Sequence, residues 1–591
     1  MSRPGPSASA HGRKRTKEPA PASPTPTART FRIPSWLPIL SALLAAVVLI
    51  GLFSTEIADT DFWWHLKTGQ YIVQRHSLPV PDPFYFSTAL NPPADAGEAR
   101  VRHFNLTHEW LAQALLYCVY WAAGFPGIIL VRAALLAAFC GLAGLLAARR
   151  SNFYFGIGAA FAAASLAVNF TADRPALFSF FMAALFICIL DSDRFLWALP
   201  PLELLWANCH GGFFLGWVVL AAYCVAALLP GPRAPNRRQL WIVAACSVAA
   251  SGLNPNGFGV LATLIRYRQS AMTANLVEWH PPYWWGPPYA FDVLLYLAAA
   301  VLIYSRRRVC WSDWALFAAF AAASLMAFRN TPLMAFLAPV MIASYFPFRL
   351  RLPPVTAWLP PVLLAGALIF GIGSGSFFQL RAATWKFPAG AAGFLLQNHI
   401  AGPLFNTWED GGYLIWRLWP EQRVFIDGRA LSESADRDFQ EILYNFGSDA
   451  GHVTGPRAEL LRRYGIQSVL TNTFEYVTGA IYPLALALAD SPDWQLVYGD
   501  THSLLFVRAS QPDPSAVPQK LQRVLDHMDT ECADYIQHDP RLPTCARRMA
   551  QYWLEGNHRE RAYRMLSLYL AHARGDAQAE RAFQLLVHGG R

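Results

Sequence analysis

The stretch DFWWHLKTG, Asp61–Gly69, follows within a few residues of an apolar run long enough to cross a membrane. From Phe62 to His76 the spacing is helical: Trp63, Leu66, Tyr71 and Val73 are apolar or aromatic, while Lys67, Gln70, Gln74 and Arg75 are polar. The segment is too polar to span. A helix of this kind is expected to lie in the interface plane, the depth that Trp and Tyr prefer. On this reading the tryptophans set the depth, and Asp59 and Asp61 face chemistry at the head-group level. The plainer alternative is that the aromatics only anchor and the acids only solvate a turn. Glu109 to Trp121, EWLAQALLYCVYW, reads as a second helix of the same type.

The rest of the chain fits a membrane setting. Its 591 residues are 54% hydrophobic and only 15% charged, against about 25% charged in soluble domains. The net charge of +9 comes mostly from the first 35 residues, which carry seven Lys/Arg and the single acid Glu18. That segment is rich in Pro, Ala, Ser and Thr and predicts a disordered basic cytoplasmic tail, not a nucleic-acid surface. No small-residue cleavage site follows the first apolar run, so it reads as an uncleaved span. Spans are expected near 36–54, 127–147, 153–170, 175–191, 195–208, 212–229, 239–253, 288–304, 313–328, 332–347 and 357–375. With the N-terminus inside, the inner segments hold eighteen Lys/Arg and the short outer connections four, as the positive-inside rule requires.

Eleven spans send two large pieces outside: the first loop, 55–126, and everything after residue 376. The expected fold is therefore a mainly α polytopic bundle, residues 36–375, with a C-terminal extracytoplasmic α/β domain. In 376–510, strand-like runs (RVFID, SVLTN, SLLFV) alternate with helical ones; 511–591 reads as amphipathic helices. Of nine cysteines, seven fall in or beside spans. Cys532 and Cys545 lie outside, 13 residues apart, where an oxidising compartment would favour a disulfide.

Unusual polar residues gather on the outer side. They are Asp59, Asp61, His65, Asp82, His108 and Glu109 in the first loop, then Asp173, Arg174, His210, Asn254, Glu278, His280, Arg329 and Asn330 in later connections. Ionisable groups next to apolar spans are costly and usually functional.

This pattern resembles the glycosyltransferase C superfamily, multi-span enzymes that take sugars from polyprenyl-phosphate carriers. More narrowly, Asp61-Phe62-Trp63-Trp64-His65-Leu66-Lys67 resembles the D-P-W-Y-H-L-R type motif of oligosaccharyltransferase catalytic subunits, with Phe62 where that family commonly has Pro. Trp408-Glu409-Asp410-Gly411-Gly412-Tyr413 is similar to the family's W-W-D-Y-G-Y acceptor-binding motif, from which Glu409 and Gly412 depart; a strand after a Gly-Gly turn is the alternative. The resemblance extends to about residue 430. It implies that Asp61 binds a metal, Mg²⁺ or Mn²⁺, and helps to activate the acceptor. It makes Asp173 and Glu278 the further candidate metal ligands, and Trp408 a candidate acceptor contact.

The implied reaction needs a base for the acceptor proton, and Asp61 is the expected one. Asp59 would assist it or bind the metal, and His65, at i+4, would share its face as a catalytic or orienting group. Arg174 and Arg329 suit phosphate oxygens because a guanidinium binds two at once, and His210 or His280 would add donors. The expected partners are a lipid-linked sugar donor, an extracytoplasmic acceptor and membrane lipid, at a multi-pass plasma (inner) membrane location. A non-catalytic scaffold or glycan-binding protein is the rival reading. A transporter is a weaker one, since the polarity is one-sided and no inverted repeat is visible.

Overall fold

The computed structural model describes residues 34–230, 237–269, 277–282, 289–347, 354–400, 402–445, 453–475, 480–509, 520–538, 544–573 and 575–588. Most of the basic tail therefore lies outside the described residues. Each apolar run expected to span contains a helix. Among the described residues, five helical segments are long and apolar enough to cross a membrane: Trp36–Phe53, the apolar part of Ala96–Arg150, Phe153–Phe170, Gly211–Leu228 and Val355–Gly373. Ala176–Ser192 and Ala290–Tyr304 are apolar but shorter. Large side chains on their outer faces, such as Ile39, Leu43, Leu363, Ile369 and Phe370, are exposed. An apolar face of that size is stable against lipid, not water. This is a membrane protein.

One long helix, Trp110–Arg150, joins the two parts of the molecule. It breaks at Gly124, whose φ of 60° and ψ of −156° no other residue adopts easily, and Pro126 follows at once. The amino-terminal arm is the expected second helix of the first loop. The other arm enters the bundle, whose core includes Phe139, Leu146, Phe186, Trp206 and Phe336.

The first loop and the C-terminal region share a second core. Ile57, Phe62, Trp63, Trp64 and Tyr85 pack with Phe405, Leu414, Phe425, Leu470 and Phe506. Isolated bridges pair Ile57 with Ala382 and Tyr85 with Val424. A four-stranded sheet stands here, with β1 (Leu404–Asn406), β2 (Ser468–Asn472), β3 (Trp494–Gly499) and β4 (Ser503–Arg508) in the order β1-β2-β4-β3. β1 and β2 are parallel; the other pairings are antiparallel. SVLTN and SLLFV form strands as expected, but RVFID does not. Its backbone is held instead by the Asn406 side chain, which accepts from the Phe425 N–H and donates to the Ile426 carbonyl, both at 2.8 Å.

Helices Leu521–His538, Thr544–Glu555, Arg559–His572 and Ala577–His588 close the chain, and a Cys532–Cys545 disulfide links the first two. Their buried residues Met549, Trp553 and Met565 join the same core as the sheet.

Two expectations change here. Helix Phe62–Arg75 forms where expected, but Trp63 and Trp64 are only 3% and 6% exposed. Trp63 packs edge-on against Phe125, Phe387 and Tyr413. The tryptophans therefore dock the first loop onto the C-terminal domain and do not anchor it in lipid. Trp408–Leu418 is a helix, not a strand, because its acids sit in the first turn and an apolar face, Tyr413, Leu414, Ile415 and Leu418, turns to the core.

Candidate active site

Asp59 and Asp61 lie in the short link between helix Trp36–Phe53 and helix Phe62–Arg75. Asp61 occupies the N-cap position but makes no capping hydrogen bond through its side chain, so its carboxylate is free to face outward. What it meets is Arg174, from the turn before helix Ala176–Ser192. The guanidinium grips Asp59 with two bonds, Nε–Oδ2 at 2.6 Å and Nη2–Oδ1 at 2.8 Å. Its remaining nitrogen, Nη1, lies 3.0 Å from Asp61 Oδ2 and 3.8 Å from Glu278 Oε2. Arg329 Nη1 is 3.3 Å from Glu278 Oε1, and its guanidinium stacks on Trp279 at 4.6 Å. The two turns that carry Glu278 and Arg329 are joined by a Phe328 N–H bond to the His280 carbonyl at 2.8 Å. Asp59, Asp61, Arg174, Glu278 and Arg329 thus form one chain of charges. The two aspartates are the less exposed end, at 7% for Asp59 and 19% for Asp61, and Arg174, Glu278 and Arg329 are each about a third or more exposed. The site is a mouth lined by two cations that narrows to two carboxylates.

The two aspartates titrate apart. Burial works to raise Asp59, but the charge and hydrogen bonds of Arg174 outweigh it and hold the carboxyl below its ordinary value. Burial, helped by the neighbouring Asp59 charge and opposed by Arg174, raises Asp61 to about 6. A pair pushed apart in this way assigns one fixed anion and one group poised to take a proton near neutral pH.

The C-terminal domain forms the wall. A Cβ built on Gly428 would lie 2.1 Å from Asp61 Oδ1, so only glycine lets this backbone rest against the carboxylate. The loop is fixed by Arg429, which pairs with Asp427 at 2.9 Å and with Asp82 of the first loop at 2.8 Å. The Tyr85 hydroxyl donates to Asp427 from the other side.

Several predicted site residues go elsewhere. Asp173 is buried against Arg132 at 2.6 Å. His65 and His210 turn into the protein, toward Glu109 at 3.4 and 3.5 Å, with His108 also at 3.4 Å. Burial pushes His65 down to about 4 and His210 to about 3, so both are neutral at physiological pH. His65 shares a turn with Asp61, since its N–H donates to the Asp61 carbonyl at 3.3 Å, but its imidazole is spent on the Glu109 cluster. His280 is exposed beside the Arg329 turn. Trp408 is half-buried at the start of its helix. Asp410, the acid of that motif, is 2% exposed and holds His502 at 2.9 Å, Asn472 at 3.0 Å and Thr407 at 3.3 Å.

The sequence reading missed Arg132, Arg429 and Gly428. Arg132 carried a usable signal: an arginine inside IILVRAALL needs a buried acid at that depth.

The residues fit a divalent metal poorly. Among the described residues, no group of three or more His, Cys, Asp or Glu is placed to hold one. The acids nominated for it already face arginines.

Two solved structures share this architecture. Archaeal oligosaccharyltransferase AglB from Archaeoglobus fulgidus, in complex with an inhibitory peptide and a dolichol-phosphate, superposes with a TM-score of 0.51 over 91% of this chain and 86% of that one, at 12% identity. The fold resembles that of this oligosaccharyltransferase. The apo crystal structure from the same organism gives a TM-score of 0.50 over 81% of this chain and 75% of that one, also at 12% identity. No family model and no curated protein sequence matches this chain. The shared fold covers most of both chains, although only 12% of the residues are identical.

Proposed function

We propose that this chain is a multi-pass membrane glycosyltransferase that moves a sugar from a polyprenyl-phosphate carrier to an extracytoplasmic acceptor. The N-terminus is cytoplasmic and the C-terminal domain extracytoplasmic, the orientation favoured by the Lys/Arg asymmetry. The observation that carries the reading is the Asp59–Asp61–Arg174–Glu278–Arg329 chain, set where apolar helices meet the C-terminal domain.

Asp61 is the general base. Its Oδ2 faces Arg174 at 3.0 Å, and Trp64 is a further hydrogen-bond partner of the carboxylate. The acceptor hydrogen passes to the Asp61 carboxylate as the acceptor atom bonds to the anomeric carbon. The bond from that carbon to the carrier phosphate breaks, and its electron pair leaves on the phosphate. Arg329, half-exposed at the mouth and braced on Trp279, meets that charge with a fork suited to phosphate oxygens. Asp59 stays anionic and holds Arg174 in place.

The test is native mass spectrometry of the wild type and Asp61→Asn, each incubated with a panel of polyprenyl-phosphate sugars. Carrier binding by both proteins, with turnover only by the wild type, is the expected result. Failure of both folded proteins to bind any carrier would remove this reading and favour the scaffold.

A further inference from the structure

We propose that Arg174 is a built-in cation standing where a divalent metal would otherwise gather the site's carboxylates, so that this site binds no catalytic metal ion. Three acids converge here: Asp59, Asp61 and Glu278. Of their six carboxylate oxygens, Arg174 or Arg329 faces five. Arg174 takes Asp59 Oδ1 and Oδ2 at 2.8 and 2.6 Å, Asp61 Oδ2 at 3.0 Å and Glu278 Oε2 at 3.8 Å. Arg329 takes Glu278 Oε1 at 3.3 Å. The sixth, Asp61 Oδ1, lies against the Gly428 backbone.

A hard dication needs several of those same oxygens at about 2.0–2.6 Å. A guanidinium already lies among them, with its planar fork matched to the Asp59 carboxylate and its third nitrogen reaching two more acids. The fourth acid nominated for metal, Asp173, is tied to Arg132 at 2.6 Å in the layer behind. Asp427, the next acid along the wall, is held by Arg429 at 2.9 Å. Arg174 also keeps its charge at any working pH.

What the cation does for transfer rests on the glycosyltransferase reading: it keeps Asp59 anionic, fixes Asp61 and adds positive charge beside the leaving phosphate. Whether the site takes a metal does not rest on it, so the two can fail separately. The experiment is Mn²⁺ titration of the full chain in zwitterionic detergent, followed by electron paramagnetic resonance, for the wild type, Asp61→Asn, Arg174→Ala and Arg174→Ala/Asp61→Asn. The wild type should show no Mn²⁺ site. Arg174→Ala, by uncovering the three acids, should gain one of about 10⁻⁴ M, the range of open oxygen-ligand sites. The double variant should lose it again. A wild-type Mn²⁺ site that Asp61→Asn abolishes would overturn the proposal, and needs no folded Arg174 variant. So would a folded Arg174→Ala protein that gains no site. The glycosyltransferase reading is judged separately, by carrier binding.

Discussion

Replacing Arg429 with alanine should destabilise the extracytoplasmic half of the molecule and slacken the wall of the site together. Arg429 is 2% exposed at its side chain, and so is Asp82; Asp427 is fully buried. The guanidinium also stacks over Tyr85 at 4.7 Å and Phe84 at 5.1 Å. Its loss leaves two buried carboxylates without their cation. Removing one partner of a buried pair costs about 3–5 kcal/mol. For a unit of about 150–250 residues, at about 2–4 °C per kcal/mol, the melting midpoint should fall by roughly 6–20 °C. The assay is a thermal scan of purified protein at fixed rate and detergent concentration. Arg429→Ala/Asp82→Asn should recover part of the loss, because one of the two uncompensated charges is gone. Arg429→Lys should fall between, keeping the charge but not the fork. A midpoint for Arg429→Ala within about 2 °C of wild type, the scale of an ordinary surface substitution, would refute the idea that this triad clamps the first loop to the C-terminal domain.

Further outcomes follow from the same geometry. Gly428→Ala puts a methyl 2.1 Å from Asp61 Oδ1, where a carbon–oxygen contact needs about 3.3 Å; the resulting shift of about 1 Å should cut carrier turnover about a hundredfold with little change in melting. With Asp61 raised to about 6, the active base is the deprotonated form, so turnover should be level above that pH and fall about tenfold per unit below it; a limb near pH 4 would rule out Asp61 as the base. His502 is raised above its ordinary 6.5 because the charge of Asp410 and its hydrogen bond outweigh desolvation. The stability this pair contributes is therefore full below pH 6.5 and lost as pH climbs through the folded value. His502→Gln should flatten that part of the melting-midpoint profile, and an unchanged slope would show the pair to be inert.

The pairing of charges explains why the site was only partly legible. Asp59, Asp61, Arg174, Glu278 and Arg329 were visible as outer-side polar residues, because each interrupts or abuts an apolar run. That Arg174 would close on Asp59, 115 residues away in the chain, was not, since no local rule links them. His65 illustrates the opposite case. Helical spacing put it one turn from Asp61, but Glu109 and Gln113, brought in by the Trp110–Arg150 helix, turned its ring inward. Trp63 and Trp64 were assigned to the interface by residue type; the domain packed above them buried them instead.

By itself the sequence determined the membrane character of the chain, the helix at Phe62–Arg75 and two strands of the sheet, because hydropathy and periodicity act over a few residues and need no partner. Only the tertiary structure decided which arginine neutralises which acid, and that Gly428 lies against Asp61. Those depend on side chains from distant segments meeting within 3–4 Å, where the balance of desolvation against ion pairing sets the charge of each group.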